Sequence, residues 1–262
     1  MKAVVLCGGR GTRAWPATAE VPKPMLEIGG RPVLRHVLDI YAAQGVTEFV
    51  LATGYRGEVI ADYAATLPPS WSVDVLDTGE DVDTGERLLR CLPSVGDTFL
   101  LTYGDGVGDV DLAALLALHR ARSAGATVTV VPLPSPYGTL LLDDDGRVRD
   151  FTEKPQLTDH PINAGFFAVE REAVQSVAAA GASLERDLLP ALGSRGRLFA
   201  HRHEGFWRSM DTHKDVVELD RLATDGGAPW LQRTTSPTPP AAGPSPADAS
   251  SSPAPRASSA LT

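Results

Sequence analysis

Lys2-Ala3-Val4-Val5-Leu6-Cys7 runs straight into Gly8-Gly9-Arg10-Gly11-Thr12-Arg13, and Pro22-Lys23-Pro24-Met25 follows a short distance on. An apolar strand that stops abruptly on a glycine-rich loop is the start of an alternating strand–helix chain. Glycines allow positive φ and close backbone approach, so successive N–H groups can face phosphate oxygens. Arg13 and Lys23 would then supply the positive charge a polyphosphate needs. The same residues also read as a tight strand-to-helix turn with solvated basic side chains. The second stretch weighs against that reading, because two prolines bracketing Lys23 fix its approach, which solubility does not require. Neither G-x-x-x-x-G-K-[ST] nor G-x-G-x-x-G is present; Gly8, Gly9 and Gly11 have the wrong spacing for the second.

The chain has 262 residues, and 24 Lys and Arg against 33 Asp and Glu leave a formal charge of −9. That length suits one large α/β domain with a proper core. The acidic balance argues against a nucleic-acid or anionic-membrane surface, since both need a basic footprint. A site for an anion in such a chain must concentrate its few cations and recruit a divalent metal. Cys7 and Cys91 lack zinc spacing, and Cys7 reads as a small core residue. No signal-peptide pattern opens the sequence and no run approaches the ~18 apolar residues of a membrane span. A cytoplasmic protein without a membrane partner is expected.

Apolar runs at Ala3–Cys7, Phe49–Ala52, Val73–Leu76, Phe99–Thr102 and Thr127–Val131 read as buried strands of a mostly parallel sheet covered on both faces. Helical patterns lie between them at Pro32–Gln44, Glu58–Leu67, Glu86–Leu92 and Asp111–Ser123. Beyond residue 132 the rhythm changes. Thr139–Asp143 and Arg147–Phe151 flank Asp144-Asp145-Gly146, a hairpin signal. A strand at Gly165–Val169 and helices at Glu170–Ala180 and Glu185–Leu192 follow, then short strands at Leu198–His201 and Gly205–Met210 and a helix over Thr212–Ala223. The reading is a doubly wound α/β sheet with a smaller, partly antiparallel extension, spanning residues 1–232. Residues 233–262 hold seven of the 21 prolines and almost no large apolar side chains, so a disordered tail is expected there.

Asp105 closes Leu101-Thr102-Tyr103-Gly104-Asp105 at the carboxyl end of a strand, where ligands bind in open α/β sheets. By itself it reads equally well as a helix cap, as does Asp211 after Phe206-Trp207-Arg208-Ser209-Met210. Two such acids could share a hard divalent cation with phosphates. Lys154, in Phe151-Thr152-Glu153-Lys154-Pro155, precedes a proline and is expected to be extended and able to reach across a cleft; the alternative is an exposed loop lysine. Asn163 could bond hydroxyls, with Gly165 giving clearance, and Tyr137-Gly138 offers another close backbone approach. Glu185 could accept from hydroxyls or be first-turn helix charge. Thr84-Gly85 opens a helix and suits backbone contacts with a base edge, or an ordinary cap.

In this order, G-G-x-G-T-R at Gly8–Arg13, P-K-P-M at Pro22–Met25, E-K-P at Glu153–Pro155 and the two aspartates resemble the signature of the sugar-1-phosphate nucleotidylyltransferases. The likeness covers essentially residues 1–232 and is strongest to the cytidylyl branch. Glu27-Ile28-Gly29-Gly30, Thr78-Gly79 with Thr84-Gly85, Thr102–Val107, Ile162–Phe167, Gly205–Trp207 with Met210–Thr212, and Ala228-Pro229-Trp230 carry that finer likeness. It implies a Rossmann-like fold of the nucleotide-diphospho-sugar transferase type, a homo-oligomer and bound Mg2+. It also implies transfer of a nucleotidyl group from an NTP to a sugar-1-phosphate, with CTP and glucose-1-phosphate as substrates and pyrophosphate released. Residue by residue, Leu6, Gly8, Gly9, Gly11, Thr12, Arg13, Lys23, Thr84, Gly85 and Asp105 become nucleotide contacts. Arg13, Lys23 and Lys154 become catalytic, and Asp105 and Asp211 become magnesium ligands. Gly138, Lys154, Asn163, Gly165 and Glu185 become the sugar-phosphate set.

The chain departs from that branch in places. Val21 replaces the first lysine of K-P-K-P-M, and Tyr63–Asp77 lacks an inserted segment. Glu86 replaces the second glycine of T-G-G-R-L, and Ala164 the glycine of N-G-G. These changes bear on base and sugar recognition and on oligomer contacts, so other nucleotides and other sugar or cyclitol phosphates stay open. A phosphate monoester has a second pKa of about 6, so the attacking oxygen needs no histidine base. Readings from other classes are a glycosyltransferase using a nucleotide-sugar and a non-catalytic nucleotide sensor. The first gives no reason for Gly8–Arg13 with Lys23, and the second none for an intact set of charged residues.

Overall fold

The structure, a computed structural model, describes residues 1–12, Thr18 and 21–232. The expectations for Arg13 and for 233–262 lie outside the described residues. The chain opens with β1 (Lys2–Leu6), then the small hairpin β2 (Glu27–Ile28) and β3 (Arg31–Pro32), and α1 (Val33–Ala42). It continues through β4 (Glu48–Thr53), α2 (Gly57–Ala64), β5 (Ser72–Asp77), α3 (Thr84–Cys91), β6 (Thr98–Tyr103), β7 (Gly106–Gly108) and α4 (Leu112–Ala121). The second half holds β8 (Ala126–Pro134), β9 (Thr139–Leu142), β10 (Val148–Thr152), β11 (Gln156–Glu170) and α5 (Arg171–Gln175). A single π turn at Leu184–Leu188 leads into α6 (Leu189–Ser194), followed by β12 (Leu198–Arg202), β13 (Trp207–Ser209) and α7 (His213–Asp225).

Seven strands form the central sheet in the order β12-β8-β11-β6-β1-β4-β5. All pairings are parallel except those of β11, which runs against both β6 and β8. The α/β reading and the partly antiparallel extension are both present. Alternation along β1 explains the two-layer cover. Ala3, Val5 and Cys7 pack with Val33, Leu34, Val37 and Leu38 of α1, while Val4 and Leu6 pack with Leu88 and Cys91 of α3. The strand is buried on both sides and reads as an unbroken apolar run.

Three expectations need correction. Val73–Leu76 lies in the edge strand β5, whose residues are all exposed or half-buried, because only β4 flanks it. The strand expected at Gly165–Val169 is the inner end of the longer β11, whose outer part is hidden in the sequence by Thr158-Asp159-His160-Pro161. Its pairing with β8 shifts between Leu157 and Pro161 and between Asn163 and Phe167. The helix expected to Ala180 stops at Gln175, where the Ser176 hydroxyl donates to the Ala173 carbonyl.

The expected hairpin exists as the separate two-stranded ribbon β9–β10. Cross-strand pairing puts Leu140 beside Phe151 and Leu142 beside Val148, and all four are more than half exposed.

Candidate active site

A cavity of about 600 Å³ opens at the carboxyl ends of β1 and β6. Leu6, Gly8, Gly9, Gly11, Thr12, Lys23, Thr84, Tyr103, Asp105, Asn163, Glu185 and Asp211 are among its lining residues. The loop after β1 is pinned at its start, since the Tyr55 N–H donates to the Gly8 carbonyl and the Gly104 N–H to the Leu6 carbonyl. Lys23 stands in a short 3-10 turn between Pro22 and Pro24, as their bracketing predicts, with its side chain only 9% exposed.

The two aspartates meet on that lysine. Lys23 Nζ donates to Asp105 Oδ2 at 2.6 Å and to Asp211 Oδ1 at 2.9 Å. The cause is strand register. β7 pairs antiparallel with β13, with Gly106 opposite Ser209, and the Met210 N–H donates to the Asp105 carbonyl. The residues just outside that pairing are therefore brought together. Neither acid caps a helix. Asp111 caps α4, and Thr212 caps α7 in a capping box with Asp215. Asp211 is further oriented by the Ser209 hydroxyl at 2.8 Å. Burial works against charge on Lys23, but Asp105 and then Asp211 outweigh it and raise its pKa above the ordinary value.

The donor set fits a hard divalent cation. Two carboxylates converge on one positive group, and Mg2+ is commonly held by one or two carboxylates plus substrate phosphates. The charge of the cavity points the same way. Its described lining carries Asp83, Asp105, Glu185 and Asp211 against Lys23 and Arg87. Among the described lining residues negative side chains outnumber positive ones, so added positive charge would favour entry of a polyphosphate.

Arg87, which the sequence does not single out, lies on the buried face of α3 with Leu88 and Cys91. It is 3% exposed and donates to the carbonyls of Thr53, at 2.5 Å, and Val82, at 2.9 Å, and to the Thr78 hydroxyl. Its guanidinium occupies the space that a Cβ on Gly8 would need. Gly8 thus makes room for Arg87, which ties the ends of β4 and β5 to the cavity floor.

Other expected residues lie elsewhere. Gly85 is buried against the Ala182–Ser183 backbone, and only its neighbour Thr84 lines the cavity. Glu86 faces away, accepting from the Gly181 N–H and pairing with Arg90. Gly165, with φ of +81°, lies behind Tyr103, whose ring a Cβ there would strike at 2.6 Å. Gly138 packs against Phe151 of the ribbon and is not among the lining residues. Lys154 is also outside the lining; it is 64% exposed, with Glu153 at 3.5 Å. Its φ of +48° is left-handed rather than the extended conformation its proline predicts, because only three residues turn the chain from β10 into β11.

The nucleotidyl transferase family model matches residues 2–226. The chain is 38% identical over 254 residues to the glucose-1-phosphate cytidylyltransferase of Salmonella typhi, covering 88% of this chain and 98% of that relative. It is 31% identical over 225 residues to the mannose-1-phosphate guanylyltransferase catalytic subunit beta of Dictyostelium discoideum, covering 83% of this chain and 63% of that one. The crystal structure of HddC from Yersinia pseudotuberculosis superposes with a TM-score of 0.68 at 24% identity, covering 85% of this chain and 99% of that one, and shares the fold. The chain belongs to the nucleotidyl transferase family, as a sugar-1-phosphate nucleotidylyltransferase. Among these relatives its likeness is greater to the cytidylyltransferase than to the guanylyltransferase.

Proposed function

We propose that the protein transfers the cytidylyl group of CTP to glucose-1-phosphate with Mg2+, releasing pyrophosphate. The observation that carries this reading is Lys23 held between Asp105 and Asp211 beneath the Gly8–Thr12 loop. The 38% identity to a cytidylyltransferase across nearly its whole length supports the choice of base and sugar.

In this reading the amides of Gly8, Gly9, Gly11 and Thr12, with Arg13, face the two phosphates that leave. Lys23 neutralises charge at the α-phosphate. Asp105 and Asp211 would hold the magnesium ion, which when bound supplies positive charge to the phosphate oxygens. Thr84 and its neighbours face the base, and Asn163 a sugar hydroxyl. Lys154 takes the incoming phosphate, which requires the Glu153–Pro155 turn to bring its ammonium toward the cavity. A sugar phosphate is largely dianionic at neutral pH, so the residues position and neutralise, and none needs to remove a proton.

The reading extends to the whole chain. Cys7 and Cys91 are free, buried thiols, which fits a reducing, cytoplasmic compartment. A homo-oligomer is proposed, with a second copy covering the apolar face of β9–β10; a single-chain mass in sedimentation would refute it. Residues 1–232 are taken as the catalytic domain and 233–262 as a dispensable tail.

The deciding assay is pyrophosphate release from a matrix of CTP, UTP, dTTP, GTP and ATP against several sugar-1-phosphates. CTP with glucose-1-phosphate should lead, with at least ~10²-fold selectivity over UTP, because a site built around one exocyclic group leaves polar atoms unpaired with the wrong base. A clear preference for another nucleotide would sink the cytidylyl assignment.

A further inference from the structure

Glu185 stands in the cavity with both carboxylate oxygens already committed. Oε1 accepts from the Tyr103 hydroxyl at 2.5 Å, while Oε2 accepts from the Thr84 hydroxyl at 2.7 Å and the Ser183 hydroxyl at 3.0 Å. The donors are directed by what lies behind them. Thr84 Oγ1 accepts from the Leu184 N–H, and Ser183 Oγ from the Arg186 N–H, so each of these hydroxyls has its proton free for Glu185. On the far side, Asn163 Nδ2 donates to the Tyr103 hydroxyl at 3.2 Å, and its Oδ1 accepts from the Gly165 N–H at 2.7 Å. That second bond fixes the orientation of the amide and leaves its other N–H for a ligand. The line Thr84–Glu185–Tyr103–Asn163 therefore crosses the cavity from the loop that faces the base to the strand that faces the sugar. Glu185 sits on the π turn Leu184–Leu188, a local distortion that recurs at functional sites.

We propose that Glu185 is a positioning residue, not a sugar ligand: it clamps Thr84 to Tyr103 and Asn163 so that nucleotide and sugar-1-phosphate bind with mutual reinforcement. The inference rests on the nucleotidyl-transfer reading. Either substrate that orders its own end of the line orders the other end through one carboxylate, and the second substrate then meets a site already set. Only an acceptor can serve three hydroxyl donors. Glutamine has the size and reach of glutamate, but it presents an NH2 where a hydroxyl proton must go. Glu185→Gln should therefore turn away Thr84 or Tyr103 while leaving both half-sites standing.

The test is titration calorimetry with Mg2+ and two probes, α,β-methylene CTP and glucose-1-phosphate, each alone and in the presence of the other. In the unaltered protein each probe should tighten the other by the same factor, about fivefold or more. Glu185→Gln should bring the factor close to one, whatever it does to either single affinity. Tyr103→Phe removes one hydroxyl from the same line and should lower the factor likewise, with the double variant no worse than either. Tyr103→Phe decides the matter if the Gln variant does not fold. A sugar-phosphate affinity that falls alone in Glu185→Gln, with the coupling intact, would make Glu185 a direct sugar ligand and overturn the proposal. So would a coupling factor of one in the unaltered protein. If the unaltered protein bound neither probe, the nucleotidyl-transfer reading itself would fall.

Discussion

The two lysines assigned to phosphate stand in opposite circumstances. Lys23 is buried at the end of a packed strand system, locked between prolines and gripped by two carboxylates from distant segments. Lys154 is exposed at the foot of a two-stranded ribbon whose apolar side chains face outward, and among the described residues it pairs with its neighbour Glu153. A ribbon of two strands has little stability of its own. On the proposed reading, the nucleotide half of the site is thus built into the core, whereas the lysine for the sugar phosphate comes from a segment that the core does not hold. In the proposed reaction, the first substrate meets a formed site and the second completes one.

The largest effects should come from the built half. Asp105→Asn and Asp211→Asn each remove a charge that would hold a doubly charged ion while keeping shape. Such an ion would contribute several kcal/mol, so magnesium-dependent turnover should fall by roughly 10²-fold or more. Near-normal turnover at saturating magnesium in either variant would remove that residue from the ligand set.

Lys154→Ala should act on one substrate only. A charge-assisted hydrogen bond contributes ~1.5–3 kcal/mol, which corresponds to roughly a 10- to 100-fold higher KM for the sugar-1-phosphate. The melting temperature and the KM for nucleotide should hardly move, because the side chain is exposed and its ion pair is with the adjacent Glu153. A matching rise in the nucleotide KM would erase the contrast between the two halves.

A smaller effect should appear with pH, and only in the packed half. Burial lowers the pKa of His36, whose Nε2 donates to the Ile28 carbonyl while Nδ1 accepts from Trp230 Nε1. The unfolded chain takes up its proton near the ordinary value of 6.5, before the folded chain does. His36 therefore contributes stability above that pH which is lost as pH falls through the window below it. The loss of unfolding free energy between about pH 7.5 and 5.5, measured by urea melts, should be smaller in His36→Gln than in the unaltered chain. An unchanged pH slope in the variant would clear His36 of this role.

Smallest of all, ending the chain after Gln232 should leave turnover and melting temperature as they were. A soluble, folded truncation that had lost most of its activity would show that the last 30 residues complete a site or an interface.

What was legible in the sequence was local. Val4 and Val5 before Gly8, and Pro22 and Pro24 around Lys23, impose their geometry through near neighbours, so the loop and the lysine sit where their spacing puts them. Asp105 was readable because a strand end is a local event. That it meets Asp211 depends on pairing of β7 with β13, and Gly106-Val107-Gly108 carries no strand signature to announce it. Arg87 was opaque for the opposite reason: a charged residue on an otherwise apolar helix face reads as solvated until the carbonyls it satisfies are known. Lys154 failed through a rule that is right on average. Proline disfavours the helical region for the residue before it, yet the short turn into β11 selects the left-handed side.

The Lys23–Asp105–Asp211 cluster joins residues 82 and 188 positions apart. Contacts over such separations form only once distant segments of the chain have docked, so this corner of the cavity depends on the fold as a whole. During synthesis, a chain that has not yet reached residue 211 owns the glycine loop, Lys23 and Asp105 but lacks the second carboxylate. On the proposed reading, such a fragment would lack one of the two carboxylates that hold magnesium. On that reading, the chemistry would wait until the C-terminal segments that carry Asp211 have emerged and docked.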